Sequence, residues 1–350
     1  MDKIDKFFKN KKILITGNTG FIGSWLTMVL LNYGAKITGI SKDTGETNGL
    51  FKIFKLKNDI QFKLLNLANE KLTANFLKNK NFDVIIHLAA EPLVYDGYRS
   101  PIKIIKNNIF STLNLFNCLK NKKTLLINFT TDKVYFNSNK SYKYFTEKDA
   151  LCGEDPYSFS KVVTDMMGKM WSQNFKPSKI INIRCGNVIG GADWKQKRLI
   201  PDIIKNHYQK KKLDIRNLNS TRPWVHILEL SNILILLIHK KFKQNFHYDV
   251  FNISPDNGDE KNVKWIINYF EQSSKTKINY TLKNTFKEKI NLKLNNKKVY
   301  NYLRFRNKLN VNKRFELTFD WYKNFFKNKP NIKSKTLEQI KEVEKLLFST

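Results

Sequence analysis

The sequence predicts an α/β fold: a doubly wound parallel sheet with a smaller α/β lobe attached. Three observations carry that expectation. Short apolar runs alternate with longer helical patterns through the first half. A glycine-rich turn joins the first run to the first helix. The alternation stops after Arg184, and the chain beyond it grows rich in Asn and Lys.

The elements follow in order. The charged residues 1–6 show no leader pattern and enter a strand at once. Residues 12–16 are that strand; the turn Gly17-Asn18-Thr19-Gly20-Phe21-Ile22-Gly23 and a helix over 24–32 come next. Residues 35–40, 60–65 and 83–87 read as further strands, with helical patterns at 70–78 and 102–119. Residues 124–130 and 179–184 are two more strands, separated by a helix over 156–175. Such alternation places parallel strands beneath helices on both faces. A loop over 186–191, a helix over 199–207 and a last strand near 251–254 complete the sheet region. Residues 263–350 mix short helices with polar connections, and 334–348 form a terminal amphipathic helix. Residues 1–185 with about 226–255 are therefore expected to form a Rossmann-type domain, and 186–225 with 256–350 a substrate-binding lobe.

The glycine turn is the first chemical signal. Gly17, Gly20 and Gly23 are spaced three apart between a strand and a helix. The first permits a tight turn, the second lets backbone approach a pyrophosphate, and the third lets helix pack on strand. The helix start then offers free N–H groups to the phosphates. With Thr19, Phe21 and Ile22 these glycines form the expected cofactor cradle. Asp43, just past the second strand, is the candidate for the adenosine ribose hydroxyls and favours NAD. Lys42 beside it leaves NADP open, since a lysine there would welcome a 2′-phosphate. Asn66 and Leu67 after the third strand, and Leu88, Ala89 and Ala90 after the fourth, complete the cofactor set.

The second signal is Tyr157 and Lys161, four residues apart on a predicted helix and so on one face of it. A phenol with a reference pKa of ~10 is a poor base at neutral pH. A cation ~4 Å away at an effective dielectric of ~20 is worth about 4 kcal/mol, enough to bring the phenol toward neutrality. Lys161 is therefore expected to lower the Tyr157 pKa. Thr131, Asp132 and Lys133 end the fifth strand, placing a hydroxyl, a carboxyl and an ammonium near that pair.

Further segments tighten the reading. His87-Leu88-Ala89-Ala90-Glu91-Pro92-Leu93-Val94, Asn108-Ile109-Phe110-Ser111-Thr112 and Thr130-Thr131-Asp132-Lys133-Val134-Tyr135 are three of them. Asp155-Pro156-Tyr157-Ser158-Phe159-Ser160-Lys161 and Arg184-Cys185-Gly186-Asn187-Val188-Ile189-Gly190-Gly191 follow. Arg198-Leu199-Ile200-Pro201-Asp202 and Thr221-Arg222-Pro223-Trp224-Val225-His226 complete the set. Together they resemble the extended short-chain dehydrogenase/reductase superfamily and, within its nucleotide-sugar branch, the CDP-glucose 4,6-dehydratase family. The likeness covers about residues 10–255 and thins beyond. Glu91 stands where that branch usually has Gln, and Ser111 where it has Gly.

The resemblance implies loss of water from carbons 5 and 6 of a nucleotide-linked hexose, with NAD taking hydride from carbon 4 and returning it to carbon 6. It assigns Tyr157 the hydroxyl proton, Lys161 the nicotinamide ribose, Thr131 a bond to the carbon 4 hydroxyl and Asp132 the proton for the leaving hydroxyl. Lys133 stands where related dehydratases place a Glu base; base and electrostatic stabiliser both remain open for it. The substrate diphosphate calls for bidentate cations, and Arg222 resembles such a clamp, with Arg198 and Arg216 as further candidates and Asn187 as a sugar-phosphate contact. Relatives pair through helices matching 102–119 and 156–175, which implies a homodimer.

Composition closes off other classes. The net charge is +33, but Lys is spread along the whole chain in company with Asn, Ile and Phe, a mixture typical of AT-rich codons. It argues against a nucleic-acid partner and for anionic small ligands. Cys118, Cys152 and Cys185 have no paired spacing, so neither a disulfide framework nor a zinc site is expected, and no metal is assigned. His87 and His226 read as structural. The longest apolar run, 233–238, is far short of a membrane span, and a cytoplasmic enzyme is expected. Two other readings stay open: an epimerase or differently specific dehydratase on the same scaffold, and a catalytically silent dinucleotide-binding or RNA-associated protein.

Overall fold

The computed structural model describes residues 2–138, 143–175, 178–283, 289–305 and 308–348. It opens with a helix, α1 (Asp2–Phe8), where the sequence reading had the chain enter a strand directly. Phe8 is fully buried, and Phe7 meets His239 and Phe242 edge to face, so two aromatic rings anchor a charged segment. The alternation then runs β1 (Lys12–Thr16), α2 (Phe21–Asn32), β2 (Lys36–Ser41), α3 (Leu50–Ile53), β3 (Gln61–Leu64), α4 (Glu70–Leu77) and β4 (Val84–His87). It continues through α5 (Val94–Arg99), α6 (Pro101–Asn117), β5 (Leu125–Phe129), α7 (Pro156–Asn174) and β6 (Lys179–Cys185). Next come β7 (Asn187–Ile189), α8 (Leu199–Gln209), β8 (Leu213–Ile215), β9 (Thr221–Arg222), β10 (Trp224–His226), α9 (Ile227–Phe242) and β11 (Tyr248–Ile253). The chain ends with β12 (Lys261–Asn262), α10 (Val263–Ser274), β13 (Tyr280–Leu282), α11 (Lys297–Leu303), α12 (Val311–Lys327) and α13 (Ile332–Phe348).

Seven strands form one sheet in the order β11-β6-β5-β4-β1-β2-β3, with every pairing parallel. Alternate residues point to opposite faces. On one face Ile13, Ile15, Ile86 and Ile127 join a core that includes α2 and α9. On the other, Leu14, Ile85 and Leu126 meet Leu115, Phe116 and Trp171 from α6 and α7. Around β1, β4 and β5 both faces are dry, so these strands are continuous apolar runs rather than alternating ones. The strand order reverses at β1, whose neighbours are β2 and β4. The crevice at the carboxyl end of such a reversal is the usual ligand position in a doubly wound sheet.

Residues 187–189, expected as loop, form β7 and pair in parallel with β10, Asn187 opposite Trp224 and Ile189 opposite His226. The apolar run 233–238 lies within α9, where Ile233, Leu234, Ile235, Leu237 and Ile238 are buried in the core. Among the described residues no helix is long and apolar enough to cross a membrane. The terminal helix α13 packs on α9 and α12, burying Ile340, Val343 and Leu347 at helical spacing. Each such side chain contributes about 1.5–3 kcal/mol, which gives the amphipathic tail a structural role.

Candidate functional site

A cleft of about 910 Å³ opens at the carboxyl edge of the sheet. Every residue expected from the sequence to bind cofactor or substrate or to take part in the chemistry borders it: 17, 19–23, 43, 66–67, 88–90, 131–133, 157, 161, 187, 198, 216 and 222. The glycine turn is sterically fixed. Gly17 has φ +72°, and a Cβ on Gly23 would lie 2.3 Å from the Gly17 carbonyl oxygen. Helix α2 begins without a side-chain cap, so its first N–H groups remain available to a ligand. That combination fits the diphosphate of a dinucleotide.

The edges of the turn hold residues the sequence reading did not assign. Ser41 ends β2; its hydroxyl donates to Asn18 Oδ1 (3.0 Å) and accepts from the Thr19 N–H (3.2 Å). Asp43 stands two residues later, its carboxylate accepting from the Gly45 N–H (2.9 Å) and the Thr19 hydroxyl (3.4 Å). Lys42 is paired with Glu91. Asn66 caps its own turn by accepting from the Ala68 N–H (3.0 Å), and the Leu67 carbonyl accepts from Asn114 (2.9 Å). The N–H groups of Leu88 and Ala89 both donate to the Thr16 hydroxyl (3.2 Å). His87 lies between Thr16 (2.8 Å) and Thr112 (3.0 Å). Burial, reinforced by the Lys161 charge, pushes its pKa down to about 3, so it is neutral and architectural.

Helix α7 presents Tyr157 in its first turn. Asp155 caps that turn by accepting from the N–H groups of Tyr157 (2.9 Å) and Ser158 (3.0 Å), the Ser158 hydroxyl returns a bond, and Pro156 sits at the first helical position. One turn on, the Lys161 ammonium donates to the Phe129 carbonyl (2.6 Å). Across from them, the Thr131 hydroxyl donates to Asp132 Oδ1 (2.9 Å). Asp132 is 1% exposed and its Oδ2 has no hydrogen-bond partner. The Lys133 ammonium stands 3.8 Å from the Asp132 carboxylate and stays partly exposed.

The expected lowering of the Tyr157 pKa by Lys161 does not hold in this state. Burial pushes the phenol up to about 12, outweighing a hydrogen bond with Thr131 and the Arg198 charge. Lys161 is itself pushed down to about 8 by burial, against the Asp165 charge. Its ammonium is turned to a carbonyl of β5, and desolvation outweighs any benefit to its neighbour.

At the far end, Arg198 is held by Asp193 (2.9 Å), a partner with no signal in the sequence beyond its nearness. Arg222 is buried and donates to the carbonyls of Thr221 (2.8 Å) and Ile290 (3.1 Å). Arg216 reaches the Lys197 carbonyl at 3.5 Å, and Asn187 lies on β7 at the cleft wall. Trp224, buried with its indole N–H on the Lys261 carbonyl (2.8 Å), also borders the cleft.

A family model described as Epimerase, the NAD dependent epimerase/dehydratase family, matches residues 13–254. The chain belongs to this family. CDP-glucose 4,6-dehydratase from Salmonella typhimurium is 31% identical over 75% of this chain and 77% of that protein. The dTDP-D-glucose 4,6-dehydratase of Dictyostelium discoideum is 30% identical over 73% of this chain and 60% of its own length. Among solved structures, UDP-glucose 4-epimerase from Thermotoga maritima superposes with TM-score 0.78 at 18% identity, covering 90% of this chain and all of that one. The dTDP-glucose 4,6-dehydratase of Bacillus anthracis, in complex with NAD, gives 0.76 at 24% identity over 93% and 99%. The chain is thus an NAD-dependent enzyme of the epimerase/dehydratase type, and its glycine turn and uncapped helix start suit that cofactor.

Proposed function

We propose that this enzyme is a hydro-lyase that removes water from carbons 5 and 6 of a nucleotide-linked hexose, with CDP-glucose as substrate and CDP-4-keto-6-deoxyglucose as product. The observation that carries the reading is Asp132: a buried carboxyl group with an unpartnered oxygen that can carry a proton, in the same cleft as Tyr157 and Lys161. A 4-epimerase would use Tyr157 and Lys161 and leave Asp132 without a task. The CDP-glucose relative at 31% identity supports the choice of nucleotide.

Bound NAD supplies a hydride acceptor for carbon 4, the hydride returned to carbon 6, and a cationic ring in the cleft. Gly17, Thr19, Gly20, Phe21, Ile22 and Gly23 would hold its diphosphate side, Asp43, Asn66 and Leu67 its adenosine, and Leu88, Ala89 and Ala90 the path between. Tyr157 takes the carbon 4 hydroxyl proton; burial pushes the phenol up to about 12, so this role needs added positive charge. Thr131, hydrogen-bonded to that phenol, orients the hydroxyl. Lys161 holds the nicotinamide ribose and contributes positive charge. Asp132 donates the proton that leaves with the carbon 6 hydroxyl. The elimination also frees the carbon 5 proton; Lys133, 3.8 Å from Asp132, takes it as a neutral amine and, once protonated, stabilises the negative charge developing on the sugar. Arg222, Arg198 and Arg216 bind the substrate diphosphate, and Asn187 the sugar-phosphate.

The same reading makes residues 1–185 with about 226–255 the cofactor domain, and 186–225 with 256–350 the substrate lobe. It also makes the enzyme a homodimer through α6 and α7, where Ile102, Phe110, Phe159, Met166 and Met170 are exposed. Its three thiols are free, which suits a reducing cytoplasm. The decisive experiment offers CDP-, dTDP-, GDP- and UDP-linked hexoses with NAD and follows product mass and keto-sugar absorbance. Loss of one water from CDP-glucose supports the proposal. Isomerisation without mass change, or turnover of another nucleotide sugar in preference, overturns it.

A further inference from the structure

The carboxyl end of β2 is where the adenosine ribose of a dinucleotide lies, and the residue types there separate NAD from NADP. An acid accepts from the ribose hydroxyls; a cation welcomes a 2′-phosphate. This chain ends β2 with Ser41 and follows it with Lys42, which by sequence favours the phosphate. The structure gives that lysine another task.

The Lys42 ammonium is bonded to Glu91, just beyond β4. Glu91 is the fixed partner. Its carboxylate also accepts from Asn107 Nδ2 (3.2 Å), its N–H donates to Asn108 Oδ1 (2.7 Å), and its carbonyl accepts from Asn108 Nδ2 (3.3 Å). The Glu91 side chain is 14% exposed and that of Lys42 46%, so the mobile ammonium follows the anchored carboxylate. Burial pushes the Glu91 carboxyl up, but the Lys42 and Asn107 bonds outweigh it and hold the group below the usual range. It is ionised at neutral pH. Both side chains line the cleft, and because β2 and β4 flank β1, the pair spans the mouth of the glycine turn.

We infer that the Lys42–Glu91 pair sets the cofactor preference of this enzyme, engaging the lysine that a 2′-phosphate needs and placing a carboxylate near that phosphate. A phosphate monoester carries about −1.5 to −2 charge at neutral pH, so NADP must take Lys42 from Glu91 and leave a half-buried carboxylate without its ammonium, with Asn107 as the side-chain donor that remains. A ribose hydroxyl asks for neither. The nearby Asp43 carboxylate, anchored on the Gly45 N–H, adds to the same discrimination.

The test is calorimetric titration of cofactor-stripped protein with NAD and NADP. Glu91→Gln keeps the side-chain shape and hydrogen bonds but removes the charge. NADP affinity is expected to rise about tenfold or more relative to NAD, the equivalent of ~1.4 kcal/mol. The double variant K42A/E91Q should lose that gain, because the gain requires the released ammonium. Glu91→Ala carries the same expectation should E91Q fail to fold. A relative change below about threefold, or a gain that survives removal of Lys42, overturns the inference.

Discussion

Asp132 and Asp165 are buried alike, each 1% exposed, yet their surroundings differ. Asp165 lies inside α7 and is saturated: Arg184 donates to Oδ2 (3.0 Å) and Oδ1 (2.7 Å), and the Thr130 hydroxyl adds a bond to Oδ2 (2.9 Å). Asp132 lies three residues past β5, in a short helical turn, with one hydroxyl on Oδ1, an ammonium 3.8 Å away and no hydrogen-bond partner for Oδ2. An unpaired buried oxygen costs stability, and the fold demonstrably supplies partners one helix away. The contrast separates a carboxylate that holds α7 to β6 from a carboxyl group whose free oxygen can carry the proton it is proposed to donate.

The largest expected effect strikes the second aspartate. Asp132→Asn should lower dehydration turnover by about 10²–10⁴-fold, while the thermal unfolding midpoint stays level or rises. Steady-state assays and calorimetry on the same preparation check both halves. Turnover that survives would remove Asp132 from the chemistry.

The mirror-image change follows. Asp165→Ala leaves the Arg184 guanidinium buried without its bidentate partner, and should cost about 3–5 kcal/mol by urea unfolding. A loss below about 1 kcal/mol, the range of exposed pairs, would mean that Tyr135 and the Glu147 carbonyl, which also accept from Arg184, suffice to hold it.

What was legible in the sequence follows the range of the interactions. The first strand and the 156–175 helix lie within a residue of expectation, because two-sided burial and the Asp155-Pro156 cap write themselves into consecutive residues. The glycine turn was legible for the same reason: its steric demands are local. Helix α1 was not, since its charged residues hide that two phenylalanines decide its place. Strand β7 was not, since its partner Trp224–His226 lies far along the chain. The Lys42–Glu91 and Asp193–Arg198 pairs also needed the fold to show which charge answers which. Tyr157 is the instructive miss. Spacing put a cation four residues along the same helix, but the Lys161 ammonium turns to the Phe129 carbonyl, and the depth of burial, a property of the whole chain, decided the outcome.

The smallest effect sharpens the contrast through buried groups that hold no charge. Burial, with Lys161 and Arg314 respectively nearby, pushes His87 and His226 down to about 3 from an ordinary 6.5. Between those values the unfolded chain binds protons that the native state refuses, so stability rises with pH and is lost as pH falls from 6.5 toward 3. Each histidine should therefore remove about 1.4 kcal/mol on going from about pH 7.5 to about pH 5.5. His87→Asn keeps a hydrogen-bonding side chain between Thr16 and Thr112 but cannot titrate. Urea unfolding of wild type and variant at both pH values isolates the effect, because carboxylates such as Glu147 and Glu229, which burial pushes up, titrate equally in the two proteins and cancel. The variant should lose about 1.4 kcal/mol less on acidification. An identical loss in both would show His87 to be protonated in the native state, and its place between two threonine hydroxyls would then need a different account.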